Sequence, residues 1–515
     1  LAAFLSRQAE GNTDQRQHQA GGGQGQAAVE FDQVNAALRR GRGGGAPRIA
    51  GGVGGINKDD PAYATFDWAP KLDVVKVRTP AEEQKQFLLQ SGYKMDPVLT
   101  DADGIKEPTA IAFDGNGRMF VMEDRGYMLT IDAAHQREPN GLISLHTDTD
   151  NDGVYDKHTV FIDKLVFPRF LLPYGPNALL TMETDQDDIW KYTDTNGDGV
   201  ADKKELFASG VGGSGNVEHQ QGLLTQTMDN WLYMTVRSFR LRQMPNGSVV
   251  RETTGNNGAQ WGLTQDNDGK QWFQGGASGL PSYIQFPIVY GNFAPATQWD
   301  NDFSIPWGAP VRIMDMQQGM QDVRMPDGSA IRVTGSAGNL IVRAHRMPAD
   351  LQGEYMYNEP VARITRRLHP TVTEGVTTLK NYYYANEFIK STDPLFRPVN
   401  LANAPDGTIY VVDMYRGIIQ EATWSAPLNT YLRARVDEYG LDRFHSMGRI
   451  WRLSYDGMGR DKTMPKMNTQ SASQLVANLS HPNGWWRDTA QQLLVLKQDK
   501  SVAPTLKKMV SSKEN

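Results

Sequence analysis

The chain has 515 residues, a formal net charge of −6 and no cysteine. So mild a charge argues against a nucleic-acid partner, because nucleic-acid binding needs a basic surface. The lack of cysteine excludes disulfides, cysteine-ligated zinc, iron–sulfur clusters, thiol catalysis and covalently attached haem c within these residues. No run of about 18 apolar residues occurs, so the sequence predicts no membrane span.

Residues 1–79 are predicted to form a low-complexity N-terminal extension. Their first part is rich in Gly and Gln and includes the runs Gly21–Gly23 and Gly43–Gly45. Such a tract buries little apolar surface, so we expect it to be flexible or draped over a partner, with one short helix near residues 27–40. Pro80, followed by acidic residues, predicts the start of a further helix.

A pattern of two short apolar runs joined by a turn recurs from about residue 96 to residue 455. Clear copies lie at 110–121, 222–233, 262–273 and 403–412, and degenerate copies lie at 171–182 and 340–357. Each copy predicts a β-hairpin, and repeated hairpins without helices between them are typical of a β-propeller. We therefore predict an all-β fold, a six-bladed β-propeller, over residues 80–460.

Residues 461–515 change to a helical pattern. Ser471 can cap a first helix, the segment 481–484 interrupts it, a second helix follows from Trp485, and a third covers 502–509. This order resembles the start of a HEAT-like helical repeat. Because one repeat cannot bury its own apolar face, we expect more protein to follow Asn515 in the native chain.

Two acidic loops carry the clearest chemistry. Loop 194–205 matches the twelve-residue calcium pattern in full, and its predicted ligands are Asp194, Asn196, Asp198, the carbonyl of Val200, Asp202 and Glu205. Loop 148–156 repeats the first nine positions, with Asp148, Asp150, Asp152 and Asp156 as predicted ligands, but has Thr159 in place of the last glutamate. We predict structural calcium that pins the long loops of neighbouring blades. The alternative is that each loop is an acidic surface turn.

The segment around His219 carries a more specific motif. It reads Glu-His-Gln-x-Gly-x-Leu over 218–224, and Met-Asp-Asn-Trp-Leu-Tyr follows over 228–233, with further matches at 391–400 and 405–419. These motifs resemble the glucose/sorbosone dehydrogenase-like six-bladed propellers, which use pyrroloquinoline quinone (PQQ). More narrowly, the chain is similar over residues 80–511 to the "membrane-bound dehydrogenase domain" proteins, which add HEAT-like repeats and a C-terminal cytochrome c.

The resemblance implies that His219 is a general base, which removes the proton of a sugar hydroxyl while hydride passes to the quinone. Imidazole titrates near neutrality, which suits this role. PQQ carries three carboxylates, so we expect cationic ligands. The residues that the resemblance implies as cofactor-binding are Arg237, Gln274, Arg363, Arg397, Asn400 and Arg416. The loop 274–279 is expected to bring backbone oxygens to a second calcium. Each arginine could instead be a salt-bridged loop residue, and His219 could be structural.

The chain departs from the dehydrogenase pattern at 257–261, where Asn-Gly-Ala-Gln-Trp replaces an Arg-Asn pair. Our preferred interpretation is a periplasmic or secreted oxidoreductase that oxidises a sugar or related alcohol or aldehyde, with PQQ as hydride acceptor and a cytochrome as electron sink. Haem c would lie on an unseen segment or a partner. The alternatives are a non-catalytic, calcium-stabilised propeller that binds a glycan or a protein partner, and a propeller lyase or hydrolase acting on an acidic polysaccharide.

Overall fold

The structure is a computed structural model that describes residues 75–255, 257, 259–276, 281–284, 298–300, 305–307, 333–428 and 431–512. All of these residues belong to one of two units of the chain, Ala50–Asn515. The other unit, Leu1–Ile49, lies outside the described residues, and so does the helix expected near residues 27–40.

A short helix begins at Pro80, as predicted. Thr79 is its N-cap, and the side chains of Thr79 and Glu82 each bind the other's backbone N–H in a capping box. The helices within the described residues are α1 Pro80–Glu83, α2 Ala422–Ser425, α3 Tyr431–Tyr439, α4 Ala472–Asn478, α5 Gly484–Lys497 and α6 Ala503–Ser511. Turns of 3₁₀ helix lie at Gln84–Gln86, Asp101–Asp103, Val217–His219, Ala349–Leu351, Leu441–Arg443, Met467–Thr469 and Lys500–Val502.

Strands make up most of the remaining structure. They are β1 Phe87–Leu89, β2 Tyr93–Thr100, β3 Pro108–Phe113, β4 Met119–Glu123, β5 Gly141–Thr147, β6 Lys157–Leu165, β7 Leu172–Pro173, β8 Ala178–Thr181, β9 Ile189–Thr193, β10 Lys203–Ala208, β11 Thr225–Gln226, β12 Leu232–Tyr233, β13 Phe239–Gln243, β14 Val249–Thr253, β15 Gly262–Gln265, β16 Gln271–Gln274, β17 Pro281–Ile284, β18 Ala337–Ile341, β19 Tyr355–Glu359, β20 Ile364–Thr373, β21 Val376–Asn381, β22 Ile389–Ser391, β23 Pro398–Asn403, β24 Ile409–Asp413 and β25 Arg449–Tyr455.

The six predicted hairpins all form, each in a different antiparallel sheet. The sheet orders are β3-β4-β5-β6, β7-β8-β9-β10, β11-β12-β13-β14, β15-β16-β17, β23-β24-β25-β2, and β18-β19-β20 with β21, β22 and β1 added. Five sheets therefore contain at least the four strands of a complete blade, whereas the sheet of β15–β17 contains three among the described residues. The prediction of six blades is therefore wrong for the described residues, among which five blades are complete.

The first strand of each hairpin lies at the centre of the ring. Strand β18 lies beside β15 and β23, and β3 lies beside β23 and β7. We call β3, β7, β11, β15, β18 and β23 the inner strands. The sheets therefore radiate from a common axis, which is the architecture of a mostly-β propeller.

The sheet of β23–β25 closes the ring by using a strand from the other end of the propeller segment. Strand β2 pairs antiparallel with β25, from Tyr93 opposite Tyr455 to Thr100 opposite Arg449. Adjacent sheets pack through apolar side chains such as Trp451 and Met356, which are fully buried. Burial of such large side chains stabilises each blade against its neighbour.

The three predicted C-terminal helices form α4, α5 and α6. Ser471 caps α4 in a capping box with Gln474. Helix α5 contacts the propeller through Trp486, whose indole N–H donates to the carbonyl of Pro405 at 3.0 Å. Asn483, the N-cap of α5, donates to the carbonyl of Ala404 at 2.8 Å. The described part of the chain contains no helix with the length and apolar character needed to cross a membrane.

Candidate functional site

His219 lies on a loop that leads into inner strand β11. The turn Val217–His219 is 3₁₀ helix, and Asn216 caps it by accepting the N–H of Glu218 at 2.8 Å. The loop thus approaches the N-terminal end of β11. Three other large polar or aromatic residues also precede inner strands: Arg169 before β7, Trp261 before β15 and Arg397 before β23.

The guanidinium of Arg169 holds this loop in place. Arg169 is fully buried and donates to the carbonyls of Val217 at 2.7 Å, Gln221 at 2.9 Å and Gln220 at 3.0 Å. It also lies over the ring of Trp261, 4.7 Å from the centroid. Burial lowers the pKa of Arg169 to about 10, so it remains a cation at neutral pH. The position of His219 therefore depends on a buried charge from the neighbouring blade.

His219 pairs with Glu421, a residue 202 positions away. The distance from Nε2 to Oε1 is 2.7 Å, and the side chains are 57% and 9% exposed, respectively. The hydrogen bond with Glu421 raises the pKa of His219. Burial raises the pKa of Glu421, but the hydrogen bonds from His219 and Asn216 outweigh burial, so the net shift is downward. An anionic Glu421 accepts the Nε2–H, which leaves the Nδ1 lone pair free to take a proton.

A second carboxyl group lies beside this pair. Glu218 accepts the hydroxyl of Tyr127 at 2.6 Å, and burial followed by the charge of Glu421 raises its pKa to about 7. Tyr127 is fixed in turn by Arg416, which donates to the carbonyl of Tyr127 at 2.8 Å. The site thus combines one exposed imidazole with two carboxyl groups that differ in proton affinity. That combination can accept and release protons near neutral pH.

Three of the predicted cofactor arginines are fully buried among protein acceptors. Arg363 donates to the carbonyls of Pro394 and Val361, at 2.8 and 2.9 Å. Arg397 donates to the carbonyls of Pro360 at 2.9 Å and Arg416 at 3.1 Å. Arg416 pairs with Glu107 at 2.7 Å. The structure brings these arginines together, but as links between blades rather than as groups on an open surface.

The other predicted cofactor residues differ in burial and in their distance from the loop of His219. Arg237 is half-buried and donates to Gln221 Oε1 at 2.8 Å, so it lies beside the loop of His219. Gln274 is fully buried on β16, where it accepts the Tyr355 hydroxyl at 2.6 Å. Asn400 is buried on β23. Residues 277–279, on which the expected second calcium site depends, lie outside the described residues.

Three carboxylates of the loop 148–156 lie close together. Oxygen atoms of Asp148, Asp150 and Asp152 all lie within 4.8 Å of one another. Asp148 also accepts the N–H of Gly153 at 2.9 Å, whereas Asp156 is bound by the N–H of Thr149 at 2.9 Å. Hard oxygen donors at this spacing suit calcium, so the first three predicted ligands fit the ion. The calcium itself stays a prediction.

The loop 194–205 has the same backbone arrangement, since Asp194 accepts the N–H of Gly199 at 2.9 Å. Yet Glu205 pairs with Lys203 at 2.9 Å, and Asp202 is bound by Thr195. Within the part of the chain that the structure describes, its acids form no cluster of three. Asn196 donates to Asp198 at 3.1 Å, and Val200 is exposed at 44%. The acidic side chains of loop 194–205 are therefore less closely clustered than those of loop 148–156, although its sequence matches the calcium pattern more fully.

The two loops lie side by side. The hydroxyl of Thr159, at position 12 of the first loop, donates to the carbonyl of Gly199 in the second at 2.6 Å. Because β6 and β10 belong to neighbouring sheets, this contact joins two blades. The predicted pinning of these loops by calcium stays a prediction.

Sequence reasoning missed three residues of the candidate site. Glu421, Tyr127 and Arg169 each lie far along the chain from His219, and none stands in a motif. The sequence does carry one local signal for the loop itself, because Asn216 before a short acidic turn is a typical N-cap.

A family model for a domain of unknown function, DUF7133, matches residues 79–457, more than half of the chain. The chain belongs to this family. No curated protein matches the sequence.

Several solved structures are similar to the chain at low identity. They include the holo form of the pyranose dehydrogenase PQQ domain from Coprinopsis cinerea, at 14% identity over 72% of this chain and 97% of that one, with a TM-score of 0.39. An oxidoreductase described as a glucose dehydrogenase from Thermus thermophilus shares 14% identity over 70% and 100% of the two chains, with a TM-score of 0.41. Virginiamycin B lyase from Staphylococcus aureus shares 12% identity over 62% and 81%, with a TM-score of 0.33. At these scores the likeness carries no argument about activity.

Proposed function

We propose that this chain oxidises a hydroxyl or aldehyde group of a sugar or related compound, with His219 as the general base. The observation that carries the proposal is the pair of His219 with Glu421, in which a largely exposed imidazole is bound at one nitrogen by a buried carboxylate. Its Nδ1 has no hydrogen bond to any residue that the structure describes. A substrate hydroxyl placed there would donate its hydrogen bond to Nδ1 and would pass its proton to His219. The hydride of the same carbon would go to a two-electron acceptor bound with the substrate, for which the motif resemblance predicts PQQ.

The residues around His219 fit the predicted PQQ poorly. A trianionic cofactor needs several cations, yet Arg363, Arg397 and Arg416 are buried and donate to protein acceptors, and Arg169 donates to three carbonyls. Among the described residues predicted as ligands, only Arg237 is a half-buried cation beside the loop of His219. We therefore derive no step through PQQ. PQQ as acceptor, a cytochrome as electron sink and a periplasmic or secreted location remain predictions of the motif resemblance.

The test measures reduction of an artificial dye by the chain supplied with PQQ and calcium, over a panel of aldoses and polyols. We expect turnover with at least one compound and a loss of about 10²- to 10⁴-fold in His219→Gln, the range for removal of a general base. His369→Gln is a matched control, since His369 also pairs with a buried glutamate, Glu354, at 2.5 Å. Equal rates in wild type and His219→Gln would overturn the role of His219. An intact fold that binds no PQQ and reduces no dye would reject the oxidoreductase.

The second candidate is a non-catalytic propeller that binds a glycan or a protein partner. The internal bonding of Arg363, Arg397 and Arg416 favours it, because these charges stabilise the ring and need no ligand. It predicts glycan or protein binding without turnover, and binding that survives His219→Gln.

A further inference from the structure

A cavity of about 250 Å³ lies at the end of the ring opposite His219. Its lining includes the last residues of inner strands, among them Phe113, Gln226 and Gln265, and residues of α5. His219 approaches β11 from the other end. We call this space the axial cavity.

Helix α5 forms one wall of the axial cavity and is held rigidly. Arg343 donates to both carboxylate oxygens of Asp488, at 2.5 and 2.9 Å. The hydrogen bonds of Trp486 and Asn483 to the propeller add to this pair. The cavity is therefore preformed, which lowers the entropic cost of binding a ligand.

The polar groups of the axial cavity are neutral. Arg343 and Asp488 line it but neutralise each other. Thr489 and Gln492 are three residues apart on α5 and so share a face of the helix. The side chains of Thr489, Gln492 and Thr264 on β15 make no hydrogen bond to any residue that the structure describes. They can therefore bind hydroxyl groups of a ligand without first breaking a protein contact.

Much of the remaining lining is apolar and partly aromatic, and neutral amide side chains add to it at Gln226, Gln265, Asn403 and Asn468. Rings of Phe113 and Trp485 lie with centroids 6.4 Å apart and an interplanar angle of 83°. Aromatic faces beside scattered polar groups suit a molecule with C–H faces and hydroxyl edges. The volume is below the roughly 300 Å³ at which sites for drug-sized ligands begin, so the ligand must be small.

We propose that the axial cavity binds a small, neutral polyhydroxy compound, no larger than a monosaccharide. Its hydroxyl groups would bind Thr264, Thr489 and Gln492, and its C–H face would pack on Trp485. This site goes beyond the proposed function, since the length of the inner strands separates it from His219.

The test uses the full chain and follows binding of glycerol, xylitol, glucose and, as a charged comparison, gluconate. Saturation-transfer NMR and calorimetry should detect saturable binding of a neutral probe, with gluconate weaker. Loss of one hydrogen bond in Thr264→Val or in Gln492→Leu should weaken it by about tenfold. Thr371→Val, at an exposed hairpin position, is the matched control and should have no effect.

Two further variants separate the axial cavity from the site of His219. Ala402→Leu adds bulk to the lining and should remove binding while thermal unfolding shows an intact fold. His219→Gln should leave binding unchanged. The proposal is overturned if no neutral probe binds saturably up to about 50 mM. It is also overturned if His219→Gln abolishes binding and the cavity variants do not.

Discussion

The carboxyl group of Asp124 offers a test of the electrostatics beneath the candidate site. Asp124 is 2% exposed, and its Oδ1 has no hydrogen-bond partner within the described chain. Burial raises its pKa from 3.8 to about 7, although the charge of Arg169 acts in the opposite direction. The same Arg169 holds the loop of His219. Asp124→Asn removes the titratable charge and keeps the size of the side chain.

The magnitude follows from the two pKa values. Between about pH 4 and pH 7 the folded protein keeps this proton and the unfolded chain does not, so the free energy of unfolding falls as pH rises. Each pH unit in this window is worth about 1.4 kcal/mol. From pH 5 to the folded pKa of about 7, the wild type should lose roughly 3 kcal/mol that the variant does not lose. Above pH 7 the difference in free energy of unfolding between wild type and Asp124→Asn should stay constant.

The assay is urea unfolding of wild type and Asp124→Asn at pH 5, 6, 7 and 8, followed by tryptophan fluorescence. Taking the difference between the two proteins cancels the other titrating groups. Asp163→Asn, at a carboxyl that is 66% exposed, serves as the control and should show no trend. If the stability difference between wild type and Asp124→Asn is the same at pH 5 and pH 8, the reasoning is refuted.

Two further predictions concern the calcium loops and the imidazole. Removal of calcium by a chelator should lower the melting temperature, since an ion present at 100 times its Kd contributes about 2.7 kcal/mol. Asp150→Asn, which removes one of the three clustered carboxylates, should weaken this effect. Unchanged melting with and without chelator would count against both loops. Glu421→Gln should lower the pKa of His219, because the hydrogen bond that raises it loses its charge. An NMR titration of the imidazole measures this directly, and the rising limb of any pH–rate profile should move to lower pH. An unmoved titration would show that Glu421 does not control His219.

The hairpins could be predicted from sequence because each depends on local chemistry. A short apolar run, a turn with Asp and Gly, and a second apolar run are enough to pair β3 with β4 or β23 with β24. The same holds for the caps Thr79 and Ser471, whose side chains bind backbone groups three residues away. The make-up of the complete blades did not follow, because pairing between strands far apart in the chain leaves no local pattern. The sheet of β18–β21 adds β22 and β1, and β2 completes the sheet of β23–β25.

Some features of the candidate site could likewise be predicted from the sequence, and others could not. The sequence by itself determined that His219 stands in a Glu-His-Gln motif before a blade strand, and that two acidic loops carry calcium-type spacing. Only the tertiary structure decided that Glu421 binds His219, that Arg169 holds its loop, and that Arg363, Arg397 and Arg416 donate inside the protein. The physical reason is that a buried charge must find a partner wherever the fold brings one within reach. That partner can lie 202 residues away, where no local pattern records it.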